Sequence, residues 1–327
     1  MGFYAPAQIV RDAREHGVEV RPVDVNRSDW DCTLEPTAAA GGGLALRLGL
    51  RLVKGLREAE MRRLVERRGD GYPDLAELRR RAGVSTAVLD GLARADALRS
   101  LGLDRRGGLW AALGLDGTGR EAEPPPLFAW AEGAAARPEP PVALPAMDEG
   151  GEIAQDYAGL GLTLRRHPLA LLRPRLEAGR RRPYSVPLVP AAALRGLTDG
   201  VRITVAGLVL VRQRPGTASG VVFVTLEDET GVANLIVWPG VFERFRRVAL
   251  AAQLLLVEGR LQRQGEVVHV IAEGLTDRTD LLRRLGEEED GEPGDRDFRS
   301  PVARADEARR PTRDHRRPKG FTSRDFR

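Results

Sequence analysis

Three aspartates are the residues whose type and spacing come nearest to catalytic chemistry. Asp24, Asp29 and Asp31 all lie within residues 23–32. Carboxylates grouped in this way can hold the metal ions of two-metal phosphoryl transfer. They also lie in a turn that contains asparagine and serine, where aspartate usually caps the local backbone. We therefore predict a capping role for these residues, and neither a metal site nor a catalytic residue.

The histidines and the cysteine form no recognisable catalytic motif. Cys32 is the only cysteine, so one chain can build neither a disulfide nor a thiolate metal site. The four histidines are scattered, and none has a nucleophile or a partner nearby in the sequence: His16, His167, His269 and His315. Nothing in these residues predicts a reaction centre or a cofactor held by this chain.

Glycines beside predicted helices suggest a different chemistry, the binding of phosphate. Lys54 and Gly55 precede one predicted helix, and Gly69 and Gly71 belong to a hairpin before the next. Free backbone N–H groups and the helix dipole attract anions at such positions, and Lys54 would add a direct charge. The alternative is that these glycines only end helices. Because two consecutive hairpins precede a predicted OB barrel, we predict that these four residues contact DNA.

The predicted barrel supplies a second set of contacts to nucleic acid. The loop after its first strand is basic, and we predict that Arg212, Arg214 and Thr217 bind a single strand there. Phe223 and Trp238 are candidate platforms for bases, since stacking on an aromatic ring is worth about 1–3 kcal/mol per base. Burial in the core is the competing interpretation of Phe223, which valines flank on both sides.

Short helices must position the first group of residues. From Leu44 onward the apolar residues follow helical spacing. Gly69–Pro73 interrupts this pattern, and Ser85 is placed to cap a further helix. We predict a tandem helix-hairpin-helix domain over residues 44–116, because short helices joined by glycine-bearing turns form compact helical units.

Five strands must position the second group. Apolar residues alternate with polar ones in several runs over residues 201–273, and residues 240–248 between the third and fourth runs read as a helix. Three strands, one helix and two strands is the order of the OB fold. We predict an OB domain over residues 197–276.

The remaining segments complete an α+β multidomain architecture. Residues 1–43 contain a helix, a turn and a strand without a core of their own, and we expect them to end a domain whose remainder is missing. Residues 117–150 are rich in proline, alanine and glutamate and are predicted to be a disordered linker. A small helical connector over 151–196 and a disordered, charged tail over 277–327 are also predicted.

Composition decides less than the motifs. Lysine plus arginine outnumber aspartate plus glutamate by 51 to 47, for a net charge of +4. Arginine suits contacts with phosphate, although a GC-rich genome would produce the same excess. No apolar run approaches the ~20 residues that span a bilayer, and the amino terminus lacks the pattern of an export signal. We expect a soluble cytoplasmic protein.

Several runs of the sequence resemble one protein family. They are GFYAP at 2–6, VDVNRSDWDC at 23–32, RLGLRLVKGL at 47–56, VFVTLEDETGVAN at 222–234 and SRDF at 323–326. They resemble the C-terminal part of bacterial error-prone DNA polymerases, which are C-family enzymes similar to the polymerase III α subunit. The resemblance covers nearly the whole chain apart from residues 117–150.

This resemblance implies a part of a DNA-directed DNA polymerase, a nucleotidyltransferase that acts in damage-induced mutagenesis and translesion synthesis. Residues 1–43 would complete the fingers, the hairpin domain would hold duplex DNA, and the OB domain would lie near the single-stranded template. The family's catalytic carboxylates lie in a palm domain that has no counterpart here. The resemblance therefore implies Mg²⁺ for the full-length family but no catalytic residue in this chain. It implies either a truncated or split gene, or a sequence record that begins at an internal methionine. Other mutagenesis proteins and the sliding clamp are the protein partners that it implies.

Two functions of other classes remain as alternatives. One is a stand-alone accessory protein that binds single-stranded DNA and presents it to a separate polymerase. The other is an unrelated factor with an OB domain, such as a tRNA-binding appendage, against which the hairpin units argue.

Overall fold

A helix and a small sheet open the part of the chain that the computed structural model describes. The described residues are 5–37, 42–117, 144–178, 186–216 and 220–286. The elements are α1 (Pro6–Glu15), β1 (Val20–Arg21), β2 (Thr33–Pro36) and β3 (Leu44–Arg47). Strand β1 pairs in parallel with β3, and β2 pairs with β3 antiparallel, which gives the sheet order β1–β3–β2.

Four helices follow, and they share one core with the sheet. They are α2 (Glu58–Glu66), α3 (Leu75–Ala82), α4 (Thr86–Arg94) and α5 (Arg105–Gly117). Met61 and Leu64 of α2, three positions apart on one face, are buried in the same cluster as Val23 and Leu48. Helix α3 begins at a cap residue, since the carboxylate of Asp74 accepts the N–H of Glu77 at 2.8 Å. Because the core is continuous, it shows no boundary near residue 43.

A helical connector lies between this unit and the barrel. Its helices are α6 (Glu149–Gly159) and α7 (Pro168–Ala178). Helix α6 starts at the cap residue Asp148, inside the range predicted as linker, so the linker prediction extends too far at this end. Arg105 of α5 is buried and contacts Asp156 at 2.5 Å and Glu152 at 3.2 Å. This buried ion-pair cluster fastens α6 to the helix-hairpin-helix unit.

The carboxy-terminal half of the described chain forms a closed five-stranded barrel with two short helices between its third and fourth strands. This confirms the predicted OB-type order. Gly259 allows two neighbouring strands to approach closely, because a Cβ there would lie 2.2 Å from the carbonyl oxygen of Ile271. The strand order around the barrel is β4–β5–β6–β8–β7. The elements are β4 (Arg202–Gln213), β5 (Val222–Asp228), β6 (Gly231–Val237), α8 (Pro239–Arg244), α9 (Arg246–Ala251), β7 (Leu254–Gln264) and β8 (Val267–Asp277).

One outer side of the barrel is covered by helices. Ala206 and Leu208 of β4 pack with Ile153 of α6 and with leucines of α7 and of a last helix, α10 (Thr279–Arg283). Leu281 and Leu282 of α10 are buried there. The predicted tail therefore begins too early, because apolar residues within its charged sequence pack on the barrel. The remainder of the predicted tail and most of the predicted linker lie outside the described residues.

Among the described helices, none combines the length and the apolar composition needed to cross a bilayer.

Candidate nucleic-acid interface

Asp24 has the capping role that the sequence predicts. Its carboxylate accepts the N–H of Asn26 at 2.9 Å and the N–H of Ser100 at 3.1 Å. The other two aspartates form ion pairs, Asp29 with Arg68 and Asp31 with Arg51. Within the described ranges, no three histidine, cysteine or acidic side chains lie in a group that could hold a metal ion.

Lys54 has a structural partner that the sequence did not indicate. Its Nζ donates to the carbonyl of Tyr157 at 2.8 Å, and its backbone N–H donates to the carbonyl of Gly159 at 2.9 Å. These two bonds hold the end of α6 against the helix-hairpin-helix unit. Gly55 beside it is exposed, with a positive φ of +84°. A contact of either residue with DNA stays a prediction.

Gly69 and Gly71 lie in a braced turn and do not begin a helix. Arg81 donates to the carbonyls of Arg68 and Gly71. Helix α3 starts only at Leu75, so neither glycine lies directly at the start of a helix. A contact of Gly69 or Gly71 with DNA stays a prediction. The braces come from residues distant in the sequence, so local spacing could not reveal them.

Two other hairpins share a common pattern. Each consists of a glycine, an aliphatic residue and a residue whose side chain caps the next helix. They are Gly83–Ser85 between α3 and α4, and Gly102–Asp104 before α5. Both glycines have left-handed φ values, +64° and +74°, a conformation that a residue with a Cβ adopts only at a cost. The sequence predicts the ends of these helices but predicts no contact between the two hairpins and DNA. The repeated pattern of glycine, aliphatic residue and cap residue is nevertheless present in the sequence.

Each of these two hairpins presents the start of a helix to solvent. Ser85 Oγ accepts the N–H of Val88 at 3.4 Å, and Asp104 Oδ1 accepts the N–H of Gly107 at 2.6 Å. The hairpin glycines are exposed. The positive ends of two helix dipoles therefore lie at the surface, which is where a phosphate group is favoured.

Arg67 adds a positive charge to the first hairpin. Its Nη1 donates to the carbonyl of Arg81 at 3.0 Å and lies 3.9 Å from the position that a Cβ of Gly83 would occupy. Its side chain is exposed, and no described carboxylate forms an ion pair with it. By contrast, Arg99 beside the second hairpin pairs with Asp96 at 2.8 Å. We add Arg67 to the candidate DNA contacts, a residue that only the folded arrangement could identify.

The two arginines of the first barrel loop have different surroundings. Arg212 donates to the carbonyls of Ala249 and Ala252 at the end of α9, so its guanidinium holds a helix end. Arg214 is exposed and stacks over the ring of Phe242 at 5.4 Å. Arg214 is therefore the better placed of the two for a phosphate. Thr217 lies outside the described residues.

Phe223 lies on the outer side of the barrel. On β5 its neighbours Val222 and Val224 are buried in the barrel interior, whereas Phe223 is only partly buried and is not part of that core. The competing core interpretation therefore does not describe this residue. Trp238 at the start of α8 is 52% exposed. Both rings are accessible, as a platform for bases requires.

Strand register extends the surface around Phe223. Phe223 lies opposite Ile236 of β6, and Ile236 lies opposite Ile271 of β8. We call these three partly buried residues the outer stripe. Arg260 of β7 lies opposite Ile271 of β8 and is exposed. The isoleucines were not predicted as site residues, because the sequence does not give the pairing of β6 with β8.

Comparisons with known families match both units of the fold. A family described as "Helix-hairpin-helix motif" matches residues 17–108, and one described as "OB-fold nucleic acid binding domain" matches residues 203–278. The first match begins before residue 44, in agreement with the shared core of the sheet and the helices.

Full-length relatives are similar along most of the chain. "Error-prone DNA polymerase 2" of Rhizobium meliloti is 50% identical over 94% of this chain and 27% of its own length. "Error-prone DNA polymerase" of Ruegeria pomeroyi is 49% identical over 90% of this chain and 25% of its own length. "Error-prone DNA polymerase" of Allorhizobium ampelinum is 46% identical over 99% of this chain and 28% of its own length. The chain thus spans about a quarter of the length of these relatives.

Proposed function

We propose that this chain, a homologue of part of the bacterial error-prone DNA polymerases, is the portion of such an enzyme that holds DNA. In this proposal the two surface hairpins hold duplex DNA and the outer face of the barrel holds the single-stranded template. The polymerase would act on damaged templates in the cytoplasm, with Mg²⁺ and catalytic carboxylates supplied by a palm domain outside the described residues. Residues 1–43 would complete the fingers of that enzyme.

The observation that carries the proposal is the repeated hairpin. Two independent segments adopt the same glycine conformation and the same cap, and each places a helix start at the surface. Backbone N–H groups at helix starts contact phosphates without reading the bases. A polymerase portion that must slide along any sequence requires contacts of this kind.

The outer stripe and Trp238 support the assignment of the single strand. Aromatic rings on a barrel surface stack with successive bases of any sequence. Arg214 and Arg260 lie at two places beside this surface and can contact the strand backbone. The hairpins and the stripe therefore divide duplex and single-stranded binding between two units.

Substitution of the aromatic residues tests this division. Phe223→Ala and Trp238→Ala should each weaken binding of a single-stranded oligonucleotide by about tenfold, because one stacked base contributes about 1–3 kcal/mol. Both variants should bind blunt duplex as the parent chain does. Fluorescence anisotropy with labelled oligonucleotides measures both affinities.

Trp110 provides a matched control. It is 55% exposed, as accessible as Trp238, but it lies on α5 away from the barrel. Trp110→Ala should leave single-strand affinity unchanged. Equal losses in the Trp110 and Trp238 variants, or no loss in either barrel variant, would remove the basis for placing the template on the outer stripe.

A further inference from the structure

The small three-stranded sheet has one polar face and one apolar face. Successive side chains of a strand point to opposite faces, and residues paired across strands share a face. The register places Arg21, Arg47 and Glu35 together on one face. The opposite face, which we call the apolar sheet face, consists of Val20, Leu34, Pro36, Leu44 and Leu46.

The polar face is turned toward the protein. Arg47 is only 5% exposed, and it donates to Glu35 at 2.8 and 2.9 Å and to the carbonyl of Pro22 at 2.8 Å. Arg21 donates to the same carboxylate at 2.7 Å. Hydrogen bonds from Arg47 and from Arg21 lower the pKa of Glu35 to about 2, so this group is charged near pH 7. The ion pairs fix the register, because a slip of one residue would move every side chain to the other face.

The apolar sheet face is open to solvent on the side of β2. Leu34 is 62% exposed and Leu44 is 55% exposed. Neither leucine belongs to an apolar cluster of the described residues. On the side of β1, by contrast, Val20 packs against the core that contains Val10 of α1. A sheet with one covered face normally buries its apolar side chains there, so the open leucines indicate a face that a further layer covers.

The edge of this sheet is not suited to the addition of a strand. In the described chain, β2 pairs only with β3 and is an edge strand. Pro36 within β2 has no N–H, and a proline at a sheet edge prevents pairing with a further strand. A covering element would therefore pack on the apolar sheet face, and pairing of two copies of this chain edge to edge is disfavoured.

The small size of the open area favours a covering element from the same polypeptide over a separate protein. Two leucines and a proline offer far less than the about 800 Å² that each partner contributes to a stable complex. An element that is covalently linked needs less area, because the linkage gives it a high effective concentration. The relatives contain such additional polypeptide, since the match to the Rhizobium meliloti enzyme covers only 27% of that protein.

We propose that an apolar element of the polymerase portion outside this chain packs on Leu34 and Leu44. This element would complete the layer that begins at Val20 beside α1. The small sheet would then join the portion that holds DNA to the rest of the enzyme. The inference rests on the proposed function only where that makes this chain a portion of a longer polymerase, and it requires none of the DNA contacts.

Photo-cross-linking from position 34 tests the proposal. In a hybrid enzyme, this chain replaces the matched quarter of "Error-prone DNA polymerase 2" of Rhizobium meliloti, and benzoylphenylalanine stands in place of Leu34. Irradiation should join position 34 to a peptide outside the replaced quarter, which mass spectrometry identifies. Leu113 of α5 is a matched control, because it is 65% exposed and the same cross-linker there should reach no such peptide. The unaltered Rhizobium enzyme, with the cross-linker at the position aligned with Leu34, gives the same test without a hybrid.

Hydrogen exchange provides a second measurement that needs no cross-linker. A peptide spanning β2 and β3 should exchange at least tenfold more slowly in the hybrid than in the chain alone, because a covering layer protects its amides. Replacing both leucines, Leu34→Thr with Leu44→Thr, should remove that difference and leave the exchange of α4 unchanged.

Three results would overturn the proposal. They are cross-links that reach only residues of this chain, equal cross-linking from positions 34 and 113, and a dimer of the chain alone that Leu34→Thr dissociates. The last result would assign the apolar sheet face to a second copy. A failure of the hairpins or of the outer stripe to bind DNA would contradict the proposed function and leave all of these measurements unaffected.

Discussion

Arginines in this protein serve different purposes that their positions in the sequence do not distinguish. Arg105 is buried between two carboxylates, Arg212 holds the end of a helix, and Arg67 and Arg214 remain exposed. Only exposed guanidinium groups are free to exchange water for a phosphate. Contact with nucleic acid is therefore expected from exposed arginines such as these two, and not from the arginines that hold the fold together.

Arg67 is the residue whose contribution to duplex binding is most directly testable. Arg67→Gln should weaken binding of a blunt duplex about five- to tenfold, since it removes the charge beside the first hairpin. Arg62 on the same helix pairs with Glu58 at 2.7 Å, so Arg62→Gln should have a smaller effect. Anisotropy titrations at fixed salt concentration compare the two variants. Equal effects would indicate that general charge, and not the hairpin contact, determines affinity.

Phe223 and Trp238 are candidates because they are aromatic, and the valines on both sides of Phe223 also suggest burial in the core. Alternation along β5 instead places Phe223 outside the barrel core. Lys54 and Arg212 were chosen for charge, and both donate to carbonyls of distant segments. Period-two alternation is local information, whereas these carbonyl partners become neighbours only in the folded chain.

The sequence predicts helix ends at the repeated hairpins, but it does not predict that these hairpins bind DNA. The glycine turn at 69–71 is braced by Arg81, and its contact with DNA stays a prediction. Gly83 is exposed and lies two residues before Ser85, the cap of α4. Five strands and the interposed helical segment of the barrel were predicted, because strand alternation and turn glycines are strong signals.

Gly83→Ala tests whether the hairpin conformation requires glycine. Because φ is +64° and the nearest neighbour of an added Cβ is 3.9 Å away, the cost should come from the backbone and be about 1–2 kcal/mol. Gly196→Ala, where no positive φ occurs and no atom lies within 4 Å, should change the free energy of unfolding by less than about 0.5 kcal/mol. Urea denaturation measures both. A tolerated Gly83→Ala would mean that the hairpin relaxes without loss.

The whole molecule consists of one continuous assembly of packed elements within its described residues. The sheet and the hairpin helices share a core, and α6 is tied to that unit by Arg105 and Lys54. Apolar side chains of α6 and α7 pack on the barrel. The sequence predicted separate modules with flexible joints, because the long-range ion pairs and the apolar outer side of β4 and β7 cannot be recognised before the fold is known.

Salt dependence should reveal how the two units share the phosphate contacts. Affinity for a primed template should fall steeply with salt, with a logarithmic slope of about −0.9 for each duplex phosphate contacted. Replacing both Arg67 and Arg214 by glutamine should make the slope shallower by about 2. The same variants should lose affinity equally for different sequences, because phosphate contacts carry no base information. An unchanged slope would show that neither arginine touches a phosphate.

Attachment of α6 on both of its sides has a consequence for the shape of the bound nucleic acid. Arg105 and Lys54 hold one side of α6, and the apolar core shared with α7 and the barrel holds the other. The angle between the two proposed DNA-binding surfaces is therefore fixed before DNA binds. Bending a continuous DNA duplex to follow that angle would cost elastic free energy. A DNA duplex that ends in an unpaired strand bends easily at the junction. The rigid arrangement of the two surfaces would therefore favour a primer terminus, because the DNA is flexible there.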